Sequence, residues 1–78
     1  MTVAKKQRTL TYKAIGEDQG GNPFSASIYS NRDVVGIVAG KLIEERLHPG
    51  VNLTDEEQVK TEVMRLYHPK SISLLKCF

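Results

Sequence analysis

The central stretch, residues 31–48, most constrains what this chain can fold into, because it is long and rich in apolar residues. Val35, Val38 and Leu42 recur at helical spacing and form one apolar face, and the opposite side carries Asp33, Gly36, Gly40, Glu44 and His48. Pro49 follows, and proline ends helices. The spacing therefore predicts the main helix over residues 31–48.

Two shorter stretches before this one alternate between apolar and polar residues. Residues 9–15 place a leucine, a tyrosine and an alanine on one side, and residues 24–30 place a phenylalanine, an alanine and an isoleucine on one side. Such alternation is typical of half-buried strands. Residues 16–23, GEDQGGNP, consist almost entirely of turn formers. The pattern predicts an antiparallel hairpin with a long tip.

Two further elements follow the central stretch. Thr54 and Glu57 have the spacing of a capping box, and apolar residues then recur at helical intervals as far as Tyr67. A second helix is predicted over residues 54–68. Residues 71–78 are apolar on both sides, which predicts a third strand in a central or covered position.

These elements predict an α+β fold of one small domain. The order is ββααβ, a β-hairpin followed by two antiparallel helices and a C-terminal strand, with a three-stranded sheet and both helices on one face. Residues 1–8, which contain Lys5, Lys6 and Arg8, are expected to form a flexible N-terminal arm, and residues 9–78 the domain.

Composition narrows the class of function. The chain has 78 residues and a formal charge of +2, which is weaker than the imbalance typical of dedicated DNA-binding domains. A single cysteine, Cys77, permits no internal disulfide and fits a reducing compartment. The longest apolar run is too short to span a bilayer. We therefore expect a cytoplasmic protein with no membrane contact.

Residues able to carry chemistry are few. His48, His68 and Cys77 are the nitrogen and sulfur candidates, and neither histidine is followed by a second ligand three or four positions later. No motif indicates a cofactor, and no acid and base pair stands out. The expectation is a non-enzymatic protein with no catalytic residues, metal or cofactor.

The order of strand, helix, helix and strand predicted within residues 24–78 resembles the core of KH-type RNA-binding domains. That family clamps nucleic acid with a G-x-x-G loop between its helices. The corresponding link here, residues 49–53, reads PGVNL and lacks that motif. The resemblance implies a small RNA- or DNA-binding domain as an alternative function, with no functional residue carried over.

A chain with no chemical motif is expected to act by presenting a surface to a larger protein or complex. In size and class it is similar to the small inhibitors that phages and mobile elements encode, anti-CRISPR proteins among them, which implies an inhibitor or regulator. We predict partner contacts at Lys13, Tyr29 and Arg32, because aromatic and arginine side chains most often anchor interfaces. The expected oligomeric state is a monomer or weak homodimer.

Overall fold

The computed structural model describes residues 8–77. These residues form a single five-stranded antiparallel sheet, with one helix against one of its faces. The strands lie side by side in the order β4-β3-β2-β1-β5. The elements along the chain are β1 (Leu10–Glu17), β2 (Pro23–Tyr29), β3 (Asp33–Val38), β4 (Lys41–Arg46), α1 (Glu56–Tyr67) and β5 (Ser71–Lys76). The predicted ββααβ arrangement, with two helices and three strands, is therefore wrong.

The first hairpin is confirmed. β1 and β2 pair from Leu10 opposite Tyr29 to Glu17 opposite Pro23, with one irregularity in the register near Leu10. Asp18 closes the turn, because its Oδ1 accepts hydrogen bonds from the backbone N–H groups of residues 20 and 22, each at 2.9 Å. Gly21 follows with a φ of 82°, a conformation that glycine adopts without steric cost.

The predicted helix over residues 31–48 is instead the hairpin of β3 and β4. Residues of β3 alternate between the two faces, and the run is rich in β-branched side chains, which favour strands over helices. The connection is Ala39-Gly40, with φ angles of 52° and 81°. Two successive positive φ angles are the signature of a two-residue hairpin turn whose twist matches the strands. The helical spacing of three apolar residues was a coincidence within an alternating pattern.

Gly36 has a packing role in this hairpin. A β-carbon at this position would lie 2.6 Å from Cε1 of Tyr67, closer than two carbons can approach. The tyrosine ring therefore lies directly on the backbone of β3, and it also contacts the ring of Phe24 at a centroid distance of 5.4 Å. The glycine, costly in a helix, is what allows α1 to pack closely at this end.

Helix α1 was predicted with its cap one residue too early. Asp55 is the N-cap, and its Oδ1 accepts from the backbone N–H of Glu57 at 3.1 Å and of Gln58 at 3.4 Å. Thr54 instead donates its hydroxyl to Asn52 Oδ1. The reciprocal bond of a capping box is not formed, because the backbone N–H of Asp55 donates to the carbonyl oxygen of Asn52. Gln58 instead supports the cap by donating its side-chain amide to Oδ2 of Asp55 at 3.2 Å.

Strand β5 lies at an edge of the sheet, so the central position predicted for it is also wrong. Within residues 8–77 it pairs only with β1, antiparallel, from Tyr12 opposite Lys76 to Glu17 opposite Ser71. β1 is an inner strand because the chain returns to its free side after the helix.

The core lies between the sheet and α1. Tyr12, Phe24, Ile28 and Val34 from the sheet are buried with Val59 and Val63 from the helix. The hydroxyl of Tyr12 donates to the carbonyl oxygen of Leu53 at 2.9 Å, so this buried polar atom is satisfied. The expected arm lies mostly outside the described residues, except for Arg8.

Candidate functional site

The face of the sheet opposite α1 is the candidate site. No helix of the described residues packs on it. Cross-strand partners in an antiparallel pair share a face, so the pairings assign its members. We call it the open face, and its central residues are Lys13, Ile15, Ser25, Ser27, Val35, Ile37, Leu42, Glu44, Ser73 and Leu75.

Large aliphatic side chains are exposed on the open face. Ile15 is 48 % exposed, Ile37 44 %, Leu42 62 % and Leu75 52 %. Three of them lie in one row across the sheet, since Leu42 is opposite Ile37, Ile37 is opposite Ser25, and Ser25 is opposite Ile15. The serine is the small residue at the centre of the row. An apolar row in a polar surrounding is the usual composition of a docking surface.

Two of the three predicted site residues lie on the open face. Lys13 is exposed on β1, between Ser27 of β2 and Leu75 of β5. Tyr29 lies at the end of β2 and is half-buried, because the guanidinium of Arg8 stacks over its ring at 4.0 Å from the centroid. This contact joins a predicted arm residue to the sheet as a cation–π pair. Direct contact of Lys13 and Tyr29 with a partner stays a prediction.

Arg8, which covers Tyr29, also belongs to an ion-pair cluster at this end of the sheet. Asp33 accepts from Arg8 Nη1 at 3.2 Å through one carboxylate oxygen and from Arg46 Nη1 at 3.0 Å through the other. Asn31 also donates to Asp33, at 3.0 Å. Exposed pairs of this kind contribute little stability, but together they orient the arginine that covers the tyrosine.

The third predicted residue, Arg32, lies in the turn just after Tyr29, but its side chain contacts a different part of the molecule. Its Nη1 donates to the carbonyl oxygens of Val51 at 2.6 Å and of His48 at 3.2 Å. Both acceptors belong to the loop that joins β4 to α1. Arg32 therefore fastens this loop to the turn between β2 and β3, and its side chain is occupied by a structural role.

The aliphatic residues of the open face were missed from the sequence. Ile37 and Leu42 were assigned to the predicted helix 31–48, where they could not belong to a sheet face. The signal that could have found them is the alternation of Val34 and Gly36 with Val35 and Ile37, together with a β-branched run that favours a strand.

The ionisable groups that depart from ordinary behaviour belong to the packing of α1. Hydrogen bonds from Arg65 hold the pKa of the buried Glu62 at about 2, and the backbone N–H of His48 also donates to this carboxylate, at 3.0 Å. Burial, and secondarily the nearby Glu45, raise the pKa of Tyr67 to about 12. Its hydroxyl donates to the carbonyl oxygen of Ile43 at 2.9 Å. These groups hold the helix in place.

A shallow groove lies between α1 and the loop before it, lined by Gly50, Val51, Glu57, Gln58, Thr61 and Glu62. Among residues 8–77, no three histidine, cysteine or acidic side chains come together as a metal site would require. In the same part of the chain, no helix has the length and apolar character needed to cross a membrane.

Comparison with protein-family models, curated proteins and solved structures finds no match for this chain.

Proposed function

We propose that this chain is a non-enzymatic protein-binding module that docks on a larger cytoplasmic protein or complex through its open face, as an inhibitor or regulator. The observation that carries the proposal is the row of exposed aliphatic side chains on a sheet face that no helix of residues 8–77 covers. These side chains keep their unfavourable contact with water in the folded monomer. Docking on an apolar surface would remove it.

Charges on the open face favour a protein partner over nucleic acid. Lys13 is on the same face as Glu44, and Arg8 and Arg46 are both paired with Asp33. Lys5 and Lys6 account for the formal charge of +2, so residues 8–77 carry as many acids as bases. Nucleic-acid binding usually requires an unbalanced basic patch to neutralise phosphates. The alternative of an RNA- or DNA-binding domain therefore has less support.

The partner surface should match the open face in chemistry. An aliphatic centre would pack on Ile15 and Ile37, and polar groups at the rim would reach Lys13 and Glu44. Tyr29, held under Arg8, offers an aromatic and arginine pair of the kind that anchors interfaces.

The test compares a double variant of the open face, Ile15→Ser with Ile37→Ser, with Lys60→Ser on the exposed side of α1. Each tagged protein is incubated with nuclease-treated cell lysate, and captured proteins are quantified by mass spectrometry. We expect a protein that the parent and Lys60→Ser both retain and that the double variant loses. Equal capture by all three would remove the open face as the docking surface.

A parallel measurement decides the alternative. Fluorescence anisotropy with mixed-sequence single-stranded RNA and duplex DNA is recorded across a salt series. The proposal expects little affinity at physiological salt. Tight binding that weakens steeply with salt would replace it with nucleic-acid recognition.

A further inference from the structure

Strand β4 is an uncovered edge of the sheet. It is the outermost strand at its end of the sheet, all six of its residues are exposed, and none of the described residues pairs with its outer side. It pairs with β3 at every position from Lys41 to Arg46 without a bulge. Regular edge strands offer a row of free backbone donors and acceptors to a second strand.

The outward-facing backbone groups can be assigned from one hydrogen bond. The N–H of Leu47 donates to the carbonyl oxygen of Arg32 at 2.9 Å, on the β3 side. Backbone groups alternate in direction along a strand. The N–H and C=O groups of Lys41, Ile43 and Glu45 therefore point toward β3. Leu42, Glu44 and Arg46 point their N–H and C=O groups outward, at the free edge.

This alternation of inward and outward backbone groups limits how two copies of β4 can pair. In an antiparallel ladder, outward-pointing residues must oppose outward-pointing residues. A symmetric pair is therefore centred on one residue. Centring on Glu44 or on Glu45 places like charges directly opposite each other, which is unfavourable. Centring on Leu42 runs the ladder into the Ala39-Gly40 turn and shortens it.

Centring on Ile43 satisfies every requirement. Ile43 then opposes Ile43 of the second copy, and each Lys41 opposes Glu45 of the other copy, in positions where side chains approach most closely. Leu42 and Glu44 exchange the backbone hydrogen bonds. Ile43 is 37 % exposed, so the contact also covers an aliphatic side chain.

We propose that the free edge of β4 pairs antiparallel with β4 of a second copy of this chain, centred on Ile43 and flanked by two Lys41–Glu45 pairs. The result is one continuous sheet with both helices on the same side. The two open faces then lie side by side on the other side. The dimer is bivalent for any partner of those faces, which raises avidity without a new contact. The pairing itself does not depend on what the open face binds.

The first test blocks the edge. The N–H of Glu44 points outward, so Glu44→Pro removes a donor of the new ladder and leaves pairing with β3 intact. Glu44→Gln retains the donor and serves as the matched control. Sedimentation equilibrium over a concentration series should show a dimer for the parent and Glu44→Gln, and a monomer for Glu44→Pro with an unchanged circular dichroism spectrum.

The second test uses charge reversals, without proline, to determine which residues of the two β4 strands lie opposite each other. Lys41→Glu places acids opposite each other and should raise the dimer dissociation constant about tenfold. Adding Glu45→Lys reverses both charges and should restore it. A monomeric parent at all concentrations would overturn the proposal, as would a dimer that these variants leave intact. A dimer lost only in the Ile15→Ser and Ile37→Ser double variant would likewise overturn it, by assigning self-association to the open face.

Discussion

The two faces of the sheet are built from the same strands, yet they differ in what their apolar side chains do. Ile28 of β2 is fully buried beneath α1, whereas Ile37 of β3, on the other face, is 44 % exposed. Both belong to inner strands, so position in the sheet does not explain the difference. The presence of a covering helix does. Apolar residues on the covered face stabilise the fold, and those on the open face remain in contact with water.

The largest expected effect is on the covered face. Phe24→Ala removes a buried ring that contacts Tyr67, and it should lower the free energy of unfolding by about 3 to 5 kcal/mol. The control is Ser25→Ala, the next residue on the open face, with an expected change within about 0.5 kcal/mol. Urea denaturation measures both. A similar loss in the two variants would contradict the assignment of faces.

The next largest effect is the pH dependence of stability that arises from the buried Glu62 of α1. The pKa of Glu62 is lowered to about 2 in the folded protein, below its unfolded value, so its contribution is complete above the unfolded pKa. It declines as the pH falls from about 4.5 toward 2, with a total loss of about 1 to 3 kcal/mol because Arg65 is partly exposed.

Urea denaturation at neutral pH and at pH 3 should show much of this loss in the parent, since pH 3 lies between the unfolded pKa and the folded pKa of about 2, and a smaller loss in Glu62→Gln. Glu57→Gln, at an exposed position in the first turn of α1, should retain the dependence of the parent. An undiminished pH dependence in Glu62→Gln would assign the acid sensitivity to other groups.

The N-cap of α1, the helix that covers one face of the sheet, makes a smaller contribution to stability. Asp55→Ala removes the acceptor of two backbone N–H groups, and the thermal stability should fall by the equivalent of about 1 kcal/mol. Thr54→Ala, which deletes only a hydroxyl bonded to Asn52, should cost less. Thermal melts that rank the two variants in the opposite order would restore Thr54 as the cap.

The smallest effect compares one chemical change on the two faces. Ile28→Val should cost about 1 kcal/mol, because it leaves a small void in the core. Ile37→Val should change the free energy of unfolding by less than about 0.5 kcal/mol, because the side chain is already in contact with water. Equal losses in chemical denaturation would mean that the open face is covered in the free protein.

Local patterns in the sequence were sufficient for much of the fold. The hairpin of β1 and β2, the helix near residues 54–68 and the strand near residues 71–78 follow from alternation, turn formers and capping residues. The hairpin of β3 and β4 was missed because its apolar residues fit two periods at once. The length of the apolar stretch, residues 31–48, favoured a helix. The β-branched run and the Ala39-Gly40 turn favoured strands.

The candidate site was less predictable because it depends on topology. Lys13 and Tyr29 could be placed on a sheet face from the first hairpin alone. The aliphatic row joins β4, β3 and β1 across the sheet, and no local pattern specifies which strands become neighbours. The structural role of Arg32 likewise requires a loop that lies more than a dozen residues away in sequence.

The position of β5 has a consequence for synthesis on the ribosome. β5 pairs with β1, the first strand of the described residues, after four other elements have been made. Until then, the edge of β1 that later receives β5 has no partner strand among residues 8–77. Contacts so distant in sequence form late and slowly. A nascent chain that stops before residue 71 would therefore expose the backbone edges of both β4 and β1, and unpaired strand edges of this kind favour association with other chains.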